Sequence, residues 1–283
     1  MSHSFELIPG EDRTIRGDFH PAAGGEPKAT IVICHGFKGF KDWGMFPPAA
    51  ERLAAASFDV VRFNYANNGV GASLTEFDEL EKFAKQTFSG NLDDLDTLVT
   101  HIRNGTLPVP GRQPTGGKVL LLGHSRGGGE ALVYAFDHPE AVAGVVCWNG
   151  AVRLGLSFGA VRQRMQEEGR AYIENARTGQ PMPLDRVILD DLDANRERFV
   201  VIDRARTAKL PVVLVQGTRD IASLIEGSAM LVDANSAVKW VRIAEGDHTF
   251  CAKHPFQGEP QPLADALAVT IDAFWEMADR GGL

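Results

Sequence analysis

Cysteine is scarce. Three residues in 283, Cys34, Cys147 and Cys251, form an odd set with neither CxxC nor Cys/His ligand spacing. That excludes a disulfide framework and a structural zinc site, and it points to a reducing compartment. Long apolar runs are missing as well: Ala141 to Trp148 is far too short to span a bilayer. The opening Met1-Ser2-His3-Ser4-Phe5-Glu6 has neither a basic region nor an apolar stretch behind it, so a cytoplasmic protein with no membrane attachment is expected. Positive charge is in deficit, 29 Lys and Arg against 37 Asp and Glu, a net charge of −8. A surface of that sign repels phosphate backbones and anionic lipids, which argues against nucleic acid as a partner. Repeats and low-complexity tracts are absent, and 44% hydrophobic with 23% charged residues argues against disorder, collagen and coiled coil.

What is present is an alternation of short β-branched runs with longer helical patterns. Phe5 to Ile8 and Thr14 to Phe19, joined by Pro9-Gly10-Glu11-Asp12, predict a hairpin. Thr30 to Cys34, Val60 to Asn64, Lys118 to Leu122, Val142 to Trp148, Val212 to Gln216 and Lys239 to Ile243 are near-continuous apolar runs, as expected of parallel strands covered on both faces. Helices are expected over Pro47 to Ala56, Asn91 to Arg103, Ser125 to Phe136, Ser223 to Ala234 and Pro262 to Ala278, where apolar residues recur at spacings of three and four. The fold class is α/β, with a mostly parallel central sheet flanked by helices.

From Ala151 to Ala208 no strand run is visible. The spacing of Val161, Met165 and Tyr172, with an interruption at 179–183, predicts an inserted helical cap or lid. Residues 1–150 and 209–283 would then form the core and 151–208 the cap. The cap has ten arginines, no lysine and nine acids, a net +1 against −9 for the remainder. Those arginines either make up a solvated surface or greet an anionic substrate.

The strongest local signal is Gly123-His124-Ser125-Arg126-Gly127, a GxSxG pentapeptide directly after a strand and before a helix. With 30 glycines and ten serines, chance supplies about 0.1 such pentapeptides, so the flanks decide its weight. A sharp strand-to-helix turn needs Gly123 and Gly127 where backbones crowd, and it lifts the Ser125 hydroxyl off the sheet. A serine needs a base, and the base needs a carboxylate. Strands ending near Asp220 and His248 would place both on the rim of the sheet that carries Ser125, although 95 and 28 residues separate the three in sequence. Taken alone, His248 is an ordinary loop histidine and Asp220 a helix cap; His254 is the rival base and Asp247 the rival acid. Two backbone amides must meet the oxyanion, and those of Phe37, in Cys34-His35-Gly36-Phe37-Lys38-Gly39, and Arg126 are the candidates. Phe37, Phe40, Trp43 and Phe46 would line an acyl pocket or pack in the core.

These residues resemble the α/β-hydrolase superfamily, in particular serine esterases similar to cinnamoyl (feruloyl) esterases and the hydrolase domains of prolyl-oligopeptidase-like enzymes. The resemblance spans nearly the whole chain and rests on the hairpin, the His35-Gly36-Phe37 loop, the elbow, the Pro211 to Asp220 segment and the Gly246 to Phe250 loop. It implies Ser125 as nucleophile, His248 as base and Asp220 as acid. The expected activity is hydrolysis of carboxylic esters of small or aromatic acids, with no cofactor and no metal. Serine at the elbow departs from dienelactone hydrolases, which carry cysteine, and from dehalogenases, which carry aspartate. The 29 residues before Thr30 leave no room for an oligopeptidase propeller. An acyltransferase, amidase or peptidase of this fold, and a non-catalytic ligand-binding protein, are the alternatives. The partner is a small-molecule ester, and a homodimer is left open.

Overall fold

A computed structural model describes residues 2–155 and 159–279. Met1, 156–158 and 280–283, which belong to the expected core and cap segments, lie outside the described residues. The chain opens with β1 (His3–Gly10) and β2 (Arg13–His20), an antiparallel hairpin, followed by β3 (Thr30–Cys34), α1 (Phe46–Ala55) and β4 (Asp59–Asn64). Next come α2 (Leu80–Phe83), α3 (Phe88–Asn104), β5 (Val119–His124), α4 (Arg126–Asp137) and β6 (Gly144–Trp148). The 151–208 segment contributes α5 (Gly159–Glu168), β7 (Arg170–Glu174), β8 (Pro181–Asp185), α6 (Val187–Ala194) and α7 (Val201–Ala205). The chain returns through β9 (Val212–Gly217), α8 (Ala222–Ala234), β10 (Lys239–Ile243) and α9 (Gln261–Asp279).

Eight strands form one sheet in the order β1-β2-β4-β3-β5-β6-β9-β10. β1 and β2 pair antiparallel, as do β2 and β4, and every further pairing is parallel. The apolar runs explain this arrangement. In β3, Ile31 and Ile33 point into the core shared with α1 and α9, while Val32 and Cys34 point into the core shared with α3, α4 and α8. A strand alternating its side chains between two apolar layers must be hydrophobic at every position. Among the described residues no helix is long and apolar enough to cross a membrane.

The cap segment is not purely helical. Gly169, at φ 81, ends α5, and Tyr172 lies in the two-stranded antiparallel sheet β7–β8 instead of on the helix its spacing from Met165 predicts. The hairpin turns at Asn175, whose carbonyl accepts from Thr178 and Gly179. Pro181 and Pro183 sit opposite Glu174 and Tyr172 in β8. Prolines remove ladder donors and are tolerated only in edge strands, which is why this strand has no strand-like sequence signal. Met165, Ala171, Met182, Leu184 and Leu189 join the core that covers one face of the main sheet, so the segment packs as an extension of it.

The loop after β3 is tied down by buried charge. Lys41 Nζ donates to Asp18 Oδ2 at 2.6 Å and Asp42 Oδ2 at 2.7 Å, and Arg62 reaches Asp18 at 3.0 Å and also pairs with Asp42. The amide of Lys41 donates to Asn64 Oδ1 at 2.6 Å. Buried ions are tolerated only when paired and hydrogen-bonded in this way. The ties fix the segment holding Phe37 relative to β2 and β4.

Candidate active site

The elbow forms where β5 runs into α4. Ser125 has φ 54 and ψ −123, a region that non-glycine residues rarely adopt and that turns its side chain away from the sheet. Its amide donates to Trp148 O at 2.9 Å, and its carbonyl accepts from Gly128 and Ala151, so neighbouring backbone holds the strained turn. Close approach makes two glycines obligatory. A Cβ on Gly36 would lie 2.9 Å from the Cβ of Ser125, and one on Gly127 would lie 2.4 Å from the carbonyl oxygens of Cys34 and His35. Gly123, at the same crossing, packs on the carbonyl of Gly127. The loop with His35, Gly36 and Phe37 is thereby pressed against the serine.

The structure brings Ser125, His248 and Asp220 together. His248 Nε2 lies 3.0 Å from Ser125 Oγ, and His248 Nδ1 lies 2.7 Å from Asp220 Oδ1. Asp220 is buried, and its other oxygen accepts from Gln216 Nε2 at 2.7 Å. With Nδ1–H committed to the carboxylate, Nε2 carries the lone pair that faces the hydroxyl. Neither rival reaches the serine. Asp247 Oδ1 accepts from the amides of Thr249 and Cys251 within its own loop, and His254 Nδ1 accepts from the Gly44 amide while its ring stacks on Trp43. The amides of Phe37 and Arg126 donate to no carbonyl in the loops and turns of the described residues. Arg126 is the first residue of α4, where unpaired N–H groups and the helix dipole favour negative charge.

Several supporting residues have no readable signal in the sequence. Asn149, buried just after β6, donates from Nδ2 to the carbonyls of Asp247 at 3.1 Å and His248 at 2.9 Å. Its Oδ1 accepts from Gly217 N at 2.9 Å, which binds the histidine loop to the end of β9. His124 donates from Nε2 to His248 O at 2.8 Å. The Arg126 guanidinium lies over the Phe88 ring, 3.8 Å from its centroid, and donates to Glu130 Oε1 at 2.7 Å. Only this last pair, at i,i+4 spacing on a helix, was open to prediction.

A cavity of about 150 Å3 opens at Ser125, walled by Gly36, Phe37, Lys38, Trp43 and Phe46. Phe40 is buried in the core instead. A larger cavity of about 840 Å3, lined by residues such as Val119, Val142 and Pro211, lies at the opposite end of the strands and touches none of the three residues. Among the described residues, eight of the ten cap arginines pair with carboxylates, as Arg170 does with Glu81 and Asp185 and as Arg198 and Arg204 do with Asp137.

Burial holds His35 and His124 neutral, with pKa values pushed down to about 4 and about 3. His20 is likewise pushed down to about 4, first by burial and then by the adjacent Arg62 cation. Below the unfolded pKa of about 6.5 the unfolded chain binds protons that the native chain refuses, so stability is lost as pH falls. Each of the three removes up to about 1.4 kcal/mol per pH unit. Asp94 and Glu130, whose pKa values burial raises, oppose the trend at lower pH. The expected result in scanning calorimetry is a melting temperature several degrees lower at pH 5.5 than at pH 7. A flat profile over that range would show that these histidines are protonated in the native state.

Residues 25–188 match the family model described as serine aminopeptidase, S33. No curated protein matches the chain. Among solved structures it is similar to a putative hydrolase from Agrobacterium vitis S4, at 20% identity and TM-score 0.68 over 99% of both chains. It is also similar to Est1E from Butyrivibrio proteoclasticus, at 17% identity and TM-score 0.70 over 98% of this chain and 99% of that one. A monoacylglycerol lipase from Paleococcus ferrophilus matches at 17% identity and TM-score 0.66 over 93% and 98%. At such identities the likeness to solved structures concerns the fold.

Proposed function

The chain belongs to the serine aminopeptidase S33 family of α/β hydrolases, and on that premise we propose that it hydrolyses carboxylic esters of small or aromatic acids through an acyl-enzyme on Ser125. The observation that carries the reading is the relay of 3.0 Å and 2.7 Å contacts from Ser125 through His248 to Asp220. In the first step Ser125 Oγ attacks the ester carbonyl as its proton passes to His248 Nε2, while Asp220 holds the imidazolium. The Phe37 and Arg126 amides receive the oxyanion. The imidazolium then protonates the departing alkoxide. Water, deprotonated by the same nitrogen, releases the acid and restores the serine.

Two features favour esters over aminopeptidase substrates. An aminopeptidase needs an anion for the substrate's α-ammonium, yet none of the residues walling the cavity is a carboxylate, and Lys38 has the wrong sign. The cavity's size and its Phe37, Trp43 and Phe46 walls suit a short acyl group or a single aromatic ring. Est1E has been captured with ferulic acid, an aromatic acid. An alkyl fluorophosphonate is expected to label one residue per chain, recovered by mass spectrometry in the Ser125 peptide, and to abolish turnover of p-nitrophenyl acetate. Tight ligand binding without labelling or turnover would identify a receptor. Acylated product formed on addition of an alcohol or amine would identify a transferase.

A further inference from the structure

The charge in the wall of the Ser125 cavity comes from one side chain. Lys38 has φ 57, a backbone region where glycine is the unstrained choice, and it follows the Gly36-Phe37 pair directly. Its half-buried side chain reaches β7, where Nζ donates to Glu174 O at 3.2 Å. An ammonium has three protons, and this bond uses one of them. No carboxylate of the described residues lies within ion-pair distance of Lys38, whereas Lys41 and Lys82 each have two and Lys239 has one. Burial with no compensating charge lowers its pKa from the ordinary lysine value.

Among the described residues that line the cavity, no anionic side chain balances that charge. Besides Lys38, Ser125 and His248 the wall is made of glycines, Phe37, Trp43, Phe46, His124 and Thr249, with no carboxylate; His124 is neutral, and both Asp220 oxygens are engaged by His248 and Gln216. A half-buried ammonium with no carboxylate partner among the described residues, on a side chain that lines the same cavity as Ser125, is matched by an anionic group on the substrate. Resting on the ester-hydrolase reading, we propose that Lys38 is a specificity-determining residue that selects esters bearing a carboxylate close to the scissile carbonyl.

Two pairs of near-isosteric esters test this: monoethyl succinate against ethyl 4-oxopentanoate for the acid side, and acetoxyacetate against acetoxyacetone for the alcohol side. The quantity read is the kcat/KM ratio of anionic to neutral ester in each pair, obtained by titrating released acid. Both members share the reacting carbonyl, so any disturbance of the loop cancels in the ratio. Lys38→Met is expected to lower the ratio about 10- to 100-fold in at least one pair, chiefly through KM, the scale of one charge-assisted hydrogen bond. Lys38→Arg should restore most of it. In the wild type 0.5 M NaCl should also lower the ratio, a measurement that stands even if the methionine variant fails to fold. Ratios unchanged within twofold in both pairs, or independent of salt, overturn the proposal. Ser125→Ala on the same esters separates the two readings: persistent turnover there sinks the nucleophile, whereas loss of turnover with unchanged Lys38 ratios sinks only the selectivity.

Discussion

Replacement of Ser125 by alanine is expected to lower kcat for p-nitrophenyl acetate by about four to six orders of magnitude, with a melting temperature within a few degrees of wild type. The first expectation follows because a nucleophile, its base and the orienting acid act as a unit, so losing the attacking atom forfeits nearly all that the three achieve together. The Phe37 and Arg126 amides would still bind an oxyanion, which leaves a residual rate above that of water. The second follows from the small structural role of Oγ. Among the described residues its hydrogen-bond partner is His248 Nε2, and alanine inherits the same φ of 54 without adding bulk. Purified protein assayed beside wild type decides the matter. Turnover near the wild-type value would place the nucleophile elsewhere, and neither Asp247 nor His254 lies within reach of the serine to replace its partners.

Gly127→Ala is expected to cost at least about 3 kcal/mol, a fall in melting temperature of about 6 to 12 °C for a chain of this size, and to take the activity with it. The added methyl would sit 2.4 Å from the carbonyl oxygens of both Cys34 and His35. These are backbone atoms at the end of β3, so no rotamer change relieves the clash, and relief requires β5, α4 or the Phe37 loop to move. Any of these shifts separates the oxyanion amides from Ser125. Gly10→Ala, where an added methyl meets nothing within 4 Å, should change stability by no more than about 0.5 kcal/mol. Equal melting temperatures for the two variants would show that the elbow yields more easily than its contacts imply.

The legible parts of the fold are those in which one segment carries its own reason. The five runs from Thr30 to Gln216 are apolar at nearly every position because they are covered on both faces, whereas the sixth, Lys239 to Ile243, forms the edge strand β10 with Lys239 and Arg242 exposed; the sheet uses all six, with ends that agree to within two residues. The elbow was legible because a sharp turn needs small residues at fixed spacing. The β7–β8 hairpin was not legible, since Pro181 and Pro183 erase the donors by which a strand is recognised and an edge position tolerates the loss. Nor could any local pattern identify Asn149. Its amide bonds three backbone groups at positions 217, 247 and 248, and that role exists only once the strand ends stand side by side.

Chain order and side-chain chemistry were thus enough to specify a parallel α/β sheet, a serine at a strained turn, and an acid and a histidine on later strand ends. Which histidine faces the serine, which cap arginines are tied in ion pairs, and which cation lines the serine's cavity without a carboxylate partner among the described residues depended on packing in three dimensions. Periodicity and turn chemistry act over a few residues, whereas the pairing or isolation of a charge is decided by groups such as Lys38 and Glu174, which lie far apart along the chain and meet only in the folded state.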